Sequence, residues 1–144
     1  FGNPYGDPWN LDIVNHWVYK LGEMGVNSIS ISDTIGTSNP ESIKSIFNSV
    51  LKNHSDIEFG AHLHTDPDSW HNKIHSAFEA GCRRFDGAIK GFGGCPMAGD
   101  HLVGNLPTEK IISYLNARKI PHNVNPLLFE SCYNQSLEVF NKFQ

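Results

Sequence analysis

With 144 residues, 39% of them hydrophobic and 11% aromatic, the chain has the size and apolar content of one domain with a real core, which excludes a disordered or fibrous protein. A formal charge of −4, with 11 Lys plus Arg and no basic run, argues against nucleic acid as a partner. No stretch approaches the ~20 apolar residues that span a bilayer, and Phe1-Gly2-Asn3-Pro4-Tyr5 lacks the parts of a signal peptide, so a soluble protein with no membrane partner is expected.

The chain opens without Met on a segment punctuated by Gly2, Pro4, Gly6 and Pro8, which reads as the loop after a strand and hence as a piece of a longer chain. Asp7-Pro8 then predicts a helix start: the Asp oxygen accepts from a free backbone amide, and proline fills a position that needs no donor. The same pairing recurs at Asn39-Pro40, Asp66-Pro67 and Asn125-Pro126. Strands are expected over Val26 to Asp33, Ile57 to His64 and Arg84 to Ile89, where β-formers concentrate. Between them, Ile43, Ile46, Phe47, Val50 and Leu51, and then Trp70, Ile74, Ala77 and Phe78, fall at helical spacing and predict two amphipathic surface helices. A further helix is expected from Pro107 through Ile111, Ile112 and Leu115, and a last one after Pro126.

Strands alternating with helices about every 30 residues favour parallel βα units, because a parallel partner needs a crossover long enough to hold a helix. That period also suits a (β/α)8 barrel, although three strands cannot close one. In such architectures ligands gather where strands end and helices begin. Asp33-Thr34, His62-Leu63-His64 and the loop Gly91-Phe92-Gly93-Gly94-Cys95-Pro96 all fall at such ends.

His62 and His64 are two apart, so on a strand both imidazoles point to one face and can reach one ion, although a His-x-His pair is often incidental. Asn105, between Gly104 and a helix start, would ordinarily serve a turn or a cap; its amide oxygen could instead ligate a metal. Two imidazoles with oxygen donors suit Mg2+ or Mn2+, with Zn2+ as an open alternative. Cys95 could be a buried thiol, but the glycines Gly93 and Gly94 beside it permit a moving loop. With an ordinary pKa of about 8.5, its thiol is protonated at neutral pH and could donate to a carbanion; a nucleophilic role is the other choice. Asp33 is as readily a turn residue as a site residue, and Asp86-Gly87 as readily a turn as chemistry. His16, His54, His71, His75 and His122 are taken as surface residues. Cys82, Cys95 and Cys132 are too few and too irregular for a disulfide framework, which favours a reducing compartment.

Taken together, Ser32-Asp33-Thr34-Ile35-Gly36, Ala61-His62-Leu63-His64, Gly91-Phe92-Gly93-Gly94-Cys95-Pro96 and Gly104-Asn105-Leu106-Pro107-Thr108-Glu109 resemble the hydroxymethylglutaryl-CoA lyases of the DRE-TIM metallolyase superfamily. The resemblance implies an α/β fold, the C-terminal part of a (β/α)8 TIM barrel, with residues 1–144 forming a single partial domain. It implies His62, His64 and Asn105 as ligands of a divalent cation, Cys95 as a catalytic thiol on a substrate loop with Gly93 and Gly94, and Asp33 as a catalytic residue near the substrate. It further implies an acyl-CoA substrate, 3-hydroxy-3-methylglutaryl-CoA, cleaved to acetoacetate and acetyl-CoA by a cytoplasmic or mitochondrial-matrix homo-oligomer. Three departures stand out. Thr65-Asp66-Pro67-Asp68 replaces the family's Asp-Thr-x-Gly; the stretch from Cys95 to Asn105 is one residue longer; and the carboxylate ligand and Arg of the family's first strand belong to an N-terminal half that this chain lacks. By itself the chain should then be inactive. A Claisen-type condensing enzyme like isopropylmalate synthase, or a non-catalytic acyl-CoA-binding domain, are the competing expectations.

Overall fold

The computed structural model describes residues 1–2, 5–94 and 103–142. Helix α1 (Leu11–Glu23) leads into strand β1 (Ser28–Asp33), α2 (Pro40–Asn53), β2 (Glu58–Thr65), α3 (Trp70–Glu79) and β3 (Arg84–Asp86). A 3-10 turn at Ile89–Gly91, a short strand β4 (Gly104–Asn105), α4 (Thr108–Ala117) and α5 (Pro126–Phe140) complete it. The strands β1, β2 and β3 run parallel in that order, as the βα period predicts, and the sheet is not closed into a barrel.

β2 is the central strand and β1 lies at an edge. Side chains alternate across the sheet. Ile31, Phe59, Ala61 and Leu63 join Val18 of α1, Ala77 of α3 and Ile43, Ile46, Phe47 and Val50 of α2 in the main core. Ser28, Ser30 and Ser32 share the opposite face with His62 through a register that pairs Ser32 with His62 and His62 with Asp86. That face is polar: Arg84 donates to Ser28, Ser30 and Glu58, and Ser30 donates to Asp86 at 2.7 Å. A second cluster, Ile74, Leu106, Ile111 and Tyr114, ties α3 to α4.

Proline pairs mark helix starts only where the apolar stripe begins beside them. Asn39 caps α2 with a reciprocal box to Ser42, and Asn125 caps α5, both as the sequence predicts. At Asp7-Pro8 the expectation fails: α1 begins at Leu11, where Asn10 accepts from the Ile13 amide at 2.9 Å and Leu11 and Val14 reach the core. At Asp66-Pro67 it fails by one turn. Asp66 accepts from the amides of Asp68 and Ser69 in a turn of its own, and α3 starts at Trp70. Those amides hold the exposed Asp66 carboxyl below its ordinary pKa.

Strand bounds shift in the same way. β3 stops at Asp86 rather than Ile89, because the chain turns at Ala88 to bridge Pro107. Asn105, expected in a loop, lies in β4, antiparallel to the end of β2. Among the described residues no helix is long and apolar enough to cross a membrane.

Cys82 is fully buried between β2 and β3, with its sulfur against the Arg84 carbonyl at 3.1 Å, and burial pushes its thiol up to about 11. With Cys95 and Cys132 both replaced by Ser, Ellman's reagent at pH 8 should therefore detect no thiol in the folded protein and one after guanidinium denaturation. Rapid reaction without denaturant would mean that this part of the sheet opens readily.

Candidate metal-binding site

The end of β2 carries both histidines on the polar face. Their ring centroids are 5.3 Å apart at an interplanar angle of 71°, so neither ring blocks the other by stacking. His64 is 5% exposed, and its Nδ1 lies 2.7 Å from the Asp33 carbonyl oxygen. A carbonyl can only accept, so Nδ1 is a donor, and in the neutral tautomer this leaves the Nε2 lone pair for a ligand role. His62 is more open, its side chain 40% exposed, and its Nδ1 lies 3.4 Å from Asp86 Oδ2. That carboxylate biases the proton of His62 to the same nitrogen, a carboxylate–histidine arrangement of the kind that orients metal-binding imidazoles.

Asn105 sits opposite His64 in the β2–β4 ladder. Its Nδ2 donates to the Phe92 carbonyl at 2.9 Å, which settles which end of the amide is oxygen and leaves Oδ1 as the acceptor. The structure thus brings His62, His64 and Asn105 together at one strand end. Two imidazole nitrogens and an amide oxygen suit a divalent cation of intermediate hardness, and water or substrate oxygens would fill the remaining positions. Among the described residues no cluster of three or more His, Cys, Asp or Glu is arranged to hold a metal by itself, so these three donors make a partial set.

The glycine-rich loop runs beside that set as far as it is described. Gly91 has φ 68, and a Cβ there would fall 2.6 Å from the Asn105 carbonyl oxygen. Gly94 bridges Gly104, and a Cβ on Gly94 would meet the Val103 oxygen at 2.7 Å. Gly93, at φ 80, lies between them. Glycines here permit backbone to lie against backbone, which is a packing reason and not only a hinge reason. Cys95 and Pro96 lie outside the described residues.

Asp33 is placed differently from the sequence expectation. It falls on the helix-facing side of β1, is 0% exposed, and touches the histidines only through its main-chain carbonyl. Its Oδ2 accepts from Lys73 Nζ at 2.8 Å and from Ser38 Oγ. Its Oδ1 is buried with no hydrogen-bond partner among the described residues. The strand's alternation turns the Asp33 carboxylate toward the helices and away from the imidazole face, and the contacts it makes there are with Lys73 and Ser38.

Lys73 is the residue that the sequence reading missed. At 3% exposure its ammonium donates to Asp33 Oδ2, to the Gly36 carbonyl at 2.9 Å and to the His64 carbonyl at 2.8 Å, so all three protons are used. One signal was available: Lys73 lies on the apolar stripe of Trp70, Ile74 and Ala77, and a lone cation there requires a buried partner. Asp86, as readily a turn as chemistry by sequence, is the carboxylate beside His62. Among the histidines taken as surface residues, His54 bonds Asn15 and His75 lies 3.0 Å from Tyr114 Oη.

Removing one member of a buried ion pair strands the other, at a cost of about 3–5 kcal/mol. Lys73→Met should lose about that much in urea unfolding, and adding Asp33→Asn should return most of it. A single mutant as stable as the parent would show that the pair carries no such strain.

Residues 8–131 match the family model described as HMGL-like. Over 125 residues the chain is 28% identical to the (R)-citramalyl-CoA lyase of Chloroflexus aurantiacus, covering 87% of this chain and 39% of that protein. It is 31% identical to the hydroxymethylglutaryl-CoA lyase YngG of Bacillus subtilis, covering 86% and 41%. An HMG-CoA lyase from Acinetobacter baumannii, solved with coenzyme A and 3-methylmalate, superposes with a TM-score of 0.86 at 28% identity, over 98% of this chain and 46% of that one. The chain spans about two fifths of the length of the curated relatives it matches.

Proposed function

The chain belongs to the HMGL-like family, and from that premise we propose that it is the C-terminal part of a divalent-metal-dependent lyase that cleaves 3-hydroxy-3-methylglutaryl-CoA to acetoacetate and acetyl-CoA. All 144 residues then form one partial barrel domain, completed by strands from the rest of the protein. The observation that carries the metal reading is the placing of His62 and His64 on one strand face with Asn105 paired directly opposite His64, the Asn105 amide using its nitrogen on Phe92 and His64 Nδ1 bonded to the Asp33 carbonyl. The names of the relatives, lyases of acyl-CoA esters that include hydroxymethylglutaryl-CoA lyases, support the substrate class.

In this reading His62, His64 and Asn105 hold Mg2+ or Mn2+. Such an ion, when bound, would polarise the substrate's hydroxyl and carbonyl oxygens and so ease transfer of the hydroxyl proton to a water molecule acting as base. As the C–C bond breaks, the hydroxyl-bearing carbon becomes the ketone of acetoacetate, and its bonding electrons pass to the acetyl-CoA fragment as an enolate. Cys95 supplies the proton that converts the enolate to acetyl-CoA, a step open to a thiol because its ordinary pKa of about 8.5 lies above neutral pH. Asp33 and Lys73 act behind the site, holding the ends of β1 and β2 so that His64 keeps its orientation. A cavity of about 420 Å3, lined by Asp66, Trp70, Lys90, Asn105, Glu109 and Lys110, reaches Asn105 but neither histidine.

The test is acetoacetate release from 3-hydroxy-3-methylglutaryl-CoA by the full-length protein, with and without chelator. Turnover should vanish with EDTA and return with Mn2+ or Mg2+. His64→Ala should lose the metal, whereas Cys95→Ala should keep it while kcat falls at least about 100-fold. Turnover of citramalyl-CoA alone would reassign the substrate within the family; turnover of neither ester would remove the lyase reading.

A further inference from the structure

We propose that Glu109 is a positioning residue for the amide of Asn105, acting through the main chain of Lys90. The inference rests on the reading of Asn105 as a ligand and adds a residue to the machinery that sets it. Only two residues other than glycine have positive φ among those described, Lys90 at 54° and Lys119 at 57°. Lys119 follows the end of α4, where the Ile120 amide closes onto the Leu115 carbonyl at 2.9 Å; a left-handed residue is the ordinary way to finish a helix. Lys90 ends no α-helix. It sits inside the 3-10 turn with ψ 14°, a conformation that side chains disfavour.

What holds Lys90 there is its amide, which donates to Glu109 Oε2 at 3.0 Å. The bond is charge-assisted, and the carboxylate stands in the first turn of α4, where the helix end favours negative charge. The turn is also closed by Gly91 N to the Ala88 carbonyl and Phe92 N to the Ile89 carbonyl, each at 3.0 Å. Its product is the position of the Phe92 carbonyl, which accepts from Asn105 Nδ2 at 2.9 Å. The amide therefore keeps its donor toward Phe92 and its oxygen available. If Lys90 relaxes out of the left-handed region, Phe92 moves with it and nothing fixes which end of the Asn105 amide faces the ligand position.

Glycine adopts the left-handed conformation without assistance, so Lys90→Gly should make Glu109 dispensable. In the full-length protein, Glu109→Ala should weaken Mn2+ binding about 10-fold, within the range seen when residues supporting metal ligands are removed. Glu109→Gln, which keeps an oxygen at that position, should stay near the parent, and Lys90→Gly added to Glu109→Ala should recover most of the loss. Calorimetric Mn2+ titration reads affinity, and the side-chain amide NMR signals of Asn105 in metal-free protein read orientation. Those signals should shift in Glu109→Ala and return in the double mutant. Parent-like signals in Glu109→Ala, or no recovery on adding Lys90→Gly, would overturn the inference. A parent protein that binds no Mn2+ would sink the ligand reading instead, while the amide signals would still decide the role of Glu109.

Discussion

The buried pair between Lys73 and Asp33 is the contact on which the candidate site depends. One ammonium joins the end of β1 through Asp33, the loop after it through Gly36, and the end of β2 through the His64 carbonyl. The same Asp33 supplies the carbonyl that fixes the His64 proton. Two strand ends and the tautomer of one imidazole thus share a single charged anchor. A buried pair is weak evidence for net stability, since desolvation offsets much of the attraction. Its value here is geometric: with all three lysine protons used, the strand ends have one relative placement.

The polar face of the sheet follows from the same alternation that builds the core. Positions 59, 61 and 63 of β2 go to the helices, so 60, 62 and 64 must face the other way. Arg84 and Asp86 from β3 and the serines of β1 line that face and satisfy one another. In a closed barrel this face is the interior, and ligands gather at its C-terminal rim. His62 stands at that rim between Asp86 and His64, so electrostatic orientation and metal-ligand spacing coincide at one residue.

The third donor comes from a different principle. Asn105 belongs to a two-residue strand that returns antiparallel against the tip of β2, with the glycine backbone of 91–94 laid along it. Bare backbone on both sides allows the approach. The family match over residues 8–131 and the 0.86 superposition show that this arrangement of strands and helices recurs within an HMG-CoA lyase structure.

Local patterning determined a great deal. The βα period, the helix faces at Ile43 to Val50 and Trp70 to Ala77, the caps at Asn39 and Asn125 and the His-x-His pair on one strand face all depend on near neighbours in sequence. Only the tertiary structure decided the rest, because it turns on contacts between residues far apart in the chain. Proline at position 8 or 67 marks a possible helix start, but the start is set by where Leu11 or Ile74 meets core. Asp33, as readily a turn as a site residue by sequence, is paired on the helix side of the sheet by Lys73, 40 residues later. Register placed Asp86, as readily a turn as chemistry by sequence, beside His62, and the pairing of β4 with β2 set Asn105, a turn residue or a candidate ligand by sequence, opposite His64. Spacing names the groups that can share a face; packing decides which of them stand together at the strand end and which are paired behind it.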